Sequence, residues 1–115
     1  MKQLTLDGYT NYIIYTNGKV WSNKSKKFMS EYDNGLGYKQ VKLTNSITKK
    51  RRTFQVHRLV AITYLTNLKE LSDVNHKDGN KSNNHISNLE WTSRHENMKH
   101  AFDNKLLKGF IKKHY

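Results

Sequence analysis

The sequence predicts an α+β chain, an N-terminal antiparallel β module followed by a small strand–loop–strand–helix core. Three observations predict it. Asn17-Gly18 separates two β-rich runs, which is a strong hairpin signal. Tyr38, Gln40, Lys42 and Thr44 alternate with Lys39, Val41 and Leu43, the period-two pattern of a sheet with one face covered. Ser93-x-x-Glu96 is a capping box that opens a helix, with Met98, Ala101, Phe102 and Leu106 at core spacing behind it.

In chain order, Asp7-Gly8 marks a turn and Tyr9 to Tyr15 a β-rich run. At Asn17-Gly18 a type I′ turn is expected, with positive φ at both central positions. Lys19 to Ser22 is the return strand, Val20 on one face and Trp21 on the other. Lys24, Lys26 and Lys27 crowd a loop or strand edge, a solvated run in isolation and a favourable one beside phosphates. Residues 35–56 read as a second hairpin. Gly35-Leu36-Gly37 turns the chain, Asn45-Ser46 begins the next turn, and Lys49, Lys50, Arg51 and Arg52 form a basic block before Thr53 to Val56 returns. A ribbon that is basic on one face and apolar on the other suits a DNA groove.

Residues 57–66 follow as a short, mostly buried helix. Val56, Leu59, Val60 and Tyr64 fall at helical spacing, and Ile62 and Leu65 broaden the apolar face. His57 and Arg58 stand at its start, His57 as a structural or phosphate-facing residue. Asp73 to His76 is a short strand, Asp78-Gly79-Asn80 a turn, and Lys81 to Ser87 a polar loop. Asn88 to Trp91 is the second strand, with Leu89 and Trp91 on one face. Asn97 lies one turn inside the final helix, His100 is three residues further on, and Gly109 ends the helix.

Composition narrows the function. The chain of 115 residues has no Cys, which excludes disulfides, thiolate chemistry and Cys-based zinc sites. Apolar residues are 35% of the total, too few for two separate cores, so the parts 1–55 and 56–115 are expected to pack as one unit. Net charge is +12, and residues 1–58 hold 12 basic residues against 3 acidic ones. Such a field concentrates polyanions and favours nucleic acid as partner. No signal peptide and no apolar run of 18 residues is visible, so an intracellular protein is expected, without a membrane partner.

The stretch from Asp73 to Ala101 carries the chemistry. His76 follows Asn75, Asn88 lies twelve residues after His76, and Asn97 lies nine after Asn88. Alone, His76 is a polar residue beside a turn, Asn88 a turn-former and Asn97 a solvated helix residue. Together, VHRLVA at 56–61, NHKDGN at 75–80, NNHISNLEW at 83–91 and HEN at 95–97 resemble the HNH nuclease site of phage and homing endonucleases, some of which nick DNA. LDGYTNYIIYTNGKVWS, at 6–22, resembles the small DNA-binding module often fused ahead of that site.

The resemblance implies a ββα-metal nuclease core at 56–115 behind a basic β DNA-binding module at 1–55. It implies His76 as general base, Asn88 holding the other ring nitrogen or the nearby backbone, and Asn75 and Asn97 as ligands of one divalent cation, Mg²⁺ or Mn²⁺. The first ligand position is often aspartate in the family, and here it is Asn75, with Asp73 or Asp78 as substitutes. Two amide ligands bring no charge, so weak metal binding without DNA is expected. The expected partner is double-stranded DNA, with no small-molecule cofactor. Lys24, Lys26, Lys27, Lys49, Lys50, Arg51, Arg52, Arg58, Arg94 and His100 are the expected DNA contacts. One site per chain implies nicking by a monomer and double-strand cutting only if two chains assemble. With no room for a helix-turn-helix before Tyr115, modest sequence specificity is expected, in a phage- or mobile-element-encoded protein. The alternatives are a non-catalytic DNA-binding protein on the same frame and a basic RNA- or ribosome-binding protein.

Overall fold

The computed structural model describes residues 1–96. Among the described residues, three antiparallel sheets are arranged around a central helix. The first sheet joins β1 (Lys2–Gln3), β2 (Tyr12–Ile14), β3 (Val20–Ser22) and β4 (Lys27–Phe28) in chain order. The second joins β5 (Tyr32–Asp33), β6 (Lys39–Thr44) and β7 (Arg51–Gln55). Helix α1 (Val56–Tyr64) follows directly, and β8 (Asp73–His76) pairs with β9 (Leu89–Thr92) to close the chain's third sheet. This is the α+β architecture the sequence predicts.

The first hairpin differs from expectation in its turn. Gly18 has φ of 91°, but Asn17 is not among the residues with positive φ. The Gly18 amide donates to Tyr15 O, and the Tyr15 amide donates to Lys19 O. That is a three-residue loop with a left-handed glycine, the other favoured way to close a twisted hairpin. Asn17 Oδ1 accepts from the Lys19 amide at 3.1 Å, so the side chain serves the turn without leaving the right-handed region.

The second hairpin also shifts. β7 begins at Arg51, so only Lys49 and Lys50 of the basic block lie in the turn. The Asn45 side chain folds that turn, accepting from the amides of Ile47 at 2.8 Å and Thr48 at 3.1 Å. Cross-strand register places Arg51 opposite Thr44 and Arg52 opposite Leu43. Leu43 is fully buried, so Arg51 and Arg52 alternate to opposite faces of the ribbon. Arg52 covers the Phe54 ring at 5.0 Å.

One core unites the sheets. Leu4, Tyr12, Ile14 and Val20 come from the first, Val41 and Leu43 from the second, Val56, Leu59, Val60 and Ala61 from α1, and Val74 and Leu89 from the third. The helix is the hub, and Ile62 is the exception on it, 39% exposed rather than part of the apolar face. Tyr64 Oη donates to Ile14 O, and Trp91 Nε1 donates to Leu65 O at 3.0 Å, tying α1 and its C-cap to the first and third sheets. No helix among the described residues is long and apolar enough to cross a membrane.

Candidate active site

β8 and β9 are joined by a loop built from asparagines and one aspartate. Asp78 organises it. Its Oδ1 accepts from the Asn80 amide at 2.7 Å and from Asn88 Nδ2 at 2.9 Å, and its Oδ2 accepts from Asn83 Nδ2 at 2.9 Å. These donors hold the Asp78 carboxyl below its usual range, the Asn83 amide contributing most. Asn88 is buried, and it ends a short 3-10 turn (Ile86–Asn88) rather than opening the second strand as expected. An amide both donates and accepts, so one side chain can bridge two segments. Asn88 does so, accepting from the Asp78 amide at 3.1 Å and donating to Asn83 O at 2.9 Å. Of its two expected roles, the backbone contact is the one it makes.

The ring contact belongs to Asn84. Asn84 Oδ1 lies 2.7 Å from His76 Nε2. An amide oxygen only accepts, so Nε2 carries the proton and Nδ1 is left as the accepting atom of a neutral ring. Burial lowers the His76 pKa, opposed by the Asn84 hydrogen bond and the Asp78 charge. His76 therefore stays neutral toward more acidic pH than an ordinary histidine. Asn84 is itself buried and held from the first hairpin: the neighbouring Ile86 amide donates to Thr16 O at 2.7 Å. A Cβ on Gly18 would meet Asn84 Cβ at 2.9 Å, so only glycine fits that approach.

His57 is buried beside the same imidazole. Its ring centroid is 4.9 Å from that of His76, and Tyr38 stacks on it at 5.2 Å with 28° between the planes. Burial, then the His76 and Arg58 charges, lower the His57 pKa to about 3, with Asp73 opposing. His57 is thus a neutral ring packed inside, not a phosphate-facing one. Tyr38 leaves a turn made by Asp33 and Asn34, whose side chains accept from Gly35, Gly37, Leu36 and Tyr38 amides. Lys81 reaches back from the asparagine loop, Nζ 4.8 Å over the Tyr38 ring and donating to Leu36 O at 3.0 Å.

Asn75 and His76 are consecutive buried residues at the end of β8, opposite Glu90 and Leu89 respectively. Asn75 Nδ2 lies 3.4 Å from Glu90 Oε2 on the facing strand. No described residue donates to the Asn75 amide oxygen. The donor chemistry therefore fits a hard cation modestly: one amide oxygen with a carboxylate beside it. The two aspartates named as substitutes are engaged elsewhere, Asp78 in the loop and Asp73 with Arg58 at 3.9 Å. Among the described residues, no three His, Asp or Glu side chains cluster as a metal site. Asn97 and His100 lie outside the described residues. The capping box is half formed at the last of them: Glu96 donates its amide to Ser93 Oγ at 3.1 Å, while its carboxylate takes the Thr92 hydroxyl.

The basic residues separate into groups. Lys24 and Lys49, from different sheets, line one cleft of about 330 Å³, and Lys42, Arg51 and Arg52 line another of about 230 Å³. Lys26 is exposed in the β3–β4 turn and Lys27 at the start of β4, Lys50 is exposed beside Lys49, and Arg94 is exposed in the first turn after β9. Arg58 pairs with Asp73.

Sequence reasoning missed Asn84 and Glu90 as site residues. Asn84 sits in an Asn-Asn pair whose two members look alike in the chain, and only the fold turns one inward. Period-two alternation on β9 was a usable signal for Glu90, since it opposes Leu89 and Trp91.

Residues 54–99 match the model of the HNH endonuclease family. An uncharacterised HNH endonuclease of Acanthamoeba polyphaga mimivirus is 46% identical over 91% of this chain and 31% of its own length. DNA endonuclease I-HmuI of Bacillus phage SP01 is 38% identical over 96% of this chain and 61% of its own. A solved structure of I-HmuI, described as a DNA-binding and DNA-cleaving HNH homing endonuclease, superposes with a TM-score of 0.74, at 34% identity over 95% of this chain and 59% of that one. The chain thus spans less than two thirds of these relatives.

Proposed function

We propose that the protein is a divalent-metal-dependent DNA endonuclease that hydrolyses one phosphodiester bond per site, with His76 as general base. The observation that supports this best is the His76–Asn84 contact, which leaves a neutral, oriented imidazole with one accepting nitrogen. In this reading, His76 Nδ1 takes the proton of a water whose oxygen attacks the phosphorus. The bond from phosphorus to the leaving sugar oxygen breaks, and that oxygen takes its proton from solvent. Asn75 and Asn97 would hold one divalent cation, Mg²⁺ or Mn²⁺, which would supply charge neutralisation for the hydrolysis. Asn88 acts indirectly, by keeping the loop that carries Asn84 in shape.

Residues 1–55 serve as the basic DNA-binding module and residues 56–115 as the nuclease core. Double-stranded DNA is the substrate, contacted by the lysines and arginines of the two clefts. A single chain nicks one strand, and a double-strand break needs two chains. Supercoiled plasmid incubated with Mg²⁺, Mn²⁺ or chelator, alongside His76→Ala, tests the reading. Open circles that require both the metal and His76 support it. Plasmid that is retarded but uncut in every condition favours the second reading, a DNA-binding protein on the nuclease frame, to which Asn75 in place of a carboxylate points.

A further inference from the structure

Hydrolysis as set out above gives no task to His57 or Tyr38, yet both lie against the general base. One hydrogen bond at Nε2 fixes one atom of an imidazole and leaves the ring free to swing about that contact. A flat neighbour in van der Waals contact removes that freedom. Here the His57 ring lies 4.9 Å from the His76 ring, tilted 46° to it so that it wedges against one side of the imidazole, and Tyr38 stacks behind His57 at 5.2 Å while its own ring is 6.1 Å from His76. Among the described residues, neither nitrogen of His57 takes a hydrogen bond, so its contribution to the site is its flat surface.

We propose that His57, backed by Tyr38, is a positioning residue that fixes the plane of the His76 imidazole. The proposal rests on the reading of His76 as general base. It also gives the N-terminal module a part in the chemistry, since Tyr38 lies on the β5–β6 turn, outside the segment that matches the family. Lys81, clamped over Tyr38, ties that turn to the loop that carries Asn84.

The test compares His57→Ala, His57→Phe, Tyr38→Ala and Tyr38→Phe with the unaltered protein in plasmid nicking, with His76→Ala as reference and circular dichroism to establish folding. A misplaced base costs turnover rather than binding, so His57→Ala should lower kcat by roughly 100-fold with KM changed by no more than about twofold. A phenyl ring restores the flat surface, so His57→Phe should return kcat to within about threefold of the original. Tyr38→Ala should fall about tenfold in kcat, and Tyr38→Phe should not. Long-range ¹⁵N–¹H spectra should show one His76 tautomer in the unaltered and His57→Phe proteins.

Full kcat in folded His57→Ala overturns the proposal, as does a folded His57→Phe as slow as the alanine variant. If His57→Ala does not fold, the His57→Phe and Tyr38 variants decide on the same terms. Full cutting by His76→Ala instead removes the base assignment itself, a failure distinct from that of the His57 proposal.

Discussion

Asn84 Oδ1 sits 2.7 Å from His76 Nε2, eight positions along the chain, within a loop whose shape Asp78 and Asn88 maintain. The contact selects which ring nitrogen is free to accept a proton. Asn84→Ala should therefore lower the nicking rate by roughly 100-fold while leaving plasmid binding almost unchanged. Rates measured beside a gel-shift titration check it. A variant that cuts normally would mean that the tautomer is set by some other group.

Gly18 couples the first hairpin to that asparagine. Its φ is 91°, and an added Cβ would meet Asn84 Cβ at 2.9 Å and Val56 Cγ1 at 3.2 Å. Gly18→Ala should destabilise the fold by about 1–3 kcal/mol through the left-handed backbone alone. It should also lose activity at temperatures where the variant remains folded, because Asn84 must shift. Thermal unfolding and nicking at a temperature below both transitions separate the two effects.

His57 makes stability depend on pH. Its pKa is lowered from 6.5 to about 3 by burial, with the His76 and Arg58 charges adding and Asp73 opposing. The unfolded chain then binds a proton that the folded chain refuses. Stability is full above pH 6.5 and falls as the pH drops from there toward 3, by about 1.4 kcal/mol per unit. Urea unfolding should show a loss of about 2 kcal/mol between pH 7 and pH 5, and His57→Phe should remove most of it. Equal slopes in both proteins would assign the acid sensitivity to other groups.

Asn75 faces Glu90 with no acid of its own to offer a cation. Asn75→Asp should tighten Mg²⁺ or Mn²⁺ binding to the free protein by on the order of 10- to 100-fold, since hard cations prefer charged oxygen. Calorimetry without DNA measures this directly. Unchanged affinity would place the ion away from β8.

Arg51 and Arg52 are neighbours in the chain on opposite faces of β7. Arg51→Ala should reduce the dependence of duplex affinity on salt by about one unit of log–log slope. Arg52→Ala should reduce it less, because that guanidinium lies over Phe54. Fluorescence anisotropy across a salt series distinguishes them, and equal slopes would mean that both reach phosphate.

Much of the site was legible before the fold was known, because it is local. His76 on a short strand, the Asp78 turn and the Ser93 cap each depend on residues a few positions apart. The hairpins were legible for the same reason, through Asn and Gly at their turns. The type of the first turn was not, because a type I′ turn and a three-residue loop ending in glycine share the Asn-Gly signature and differ only in how the strands meet.

By itself, then, the sequence determined the two hairpins, the short helix after them, the strand that carries His76 and the basic character of the first half, all of which follow from side-chain chemistry and short-range periodicity. Tertiary structure decided what surrounds that base. Asn84 rather than Asn83 points inward because the Thr16–Gly18 turn presses on it. His57 becomes an internal ring because α1 is covered by all three sheets. Tyr38 reaches the site because a turn 38 residues before His76 is folded back against the asparagine loop. Such contacts join residues far apart in the chain, and no local pattern encodes them, because their free energy comes from packing that exists only once the core has closed.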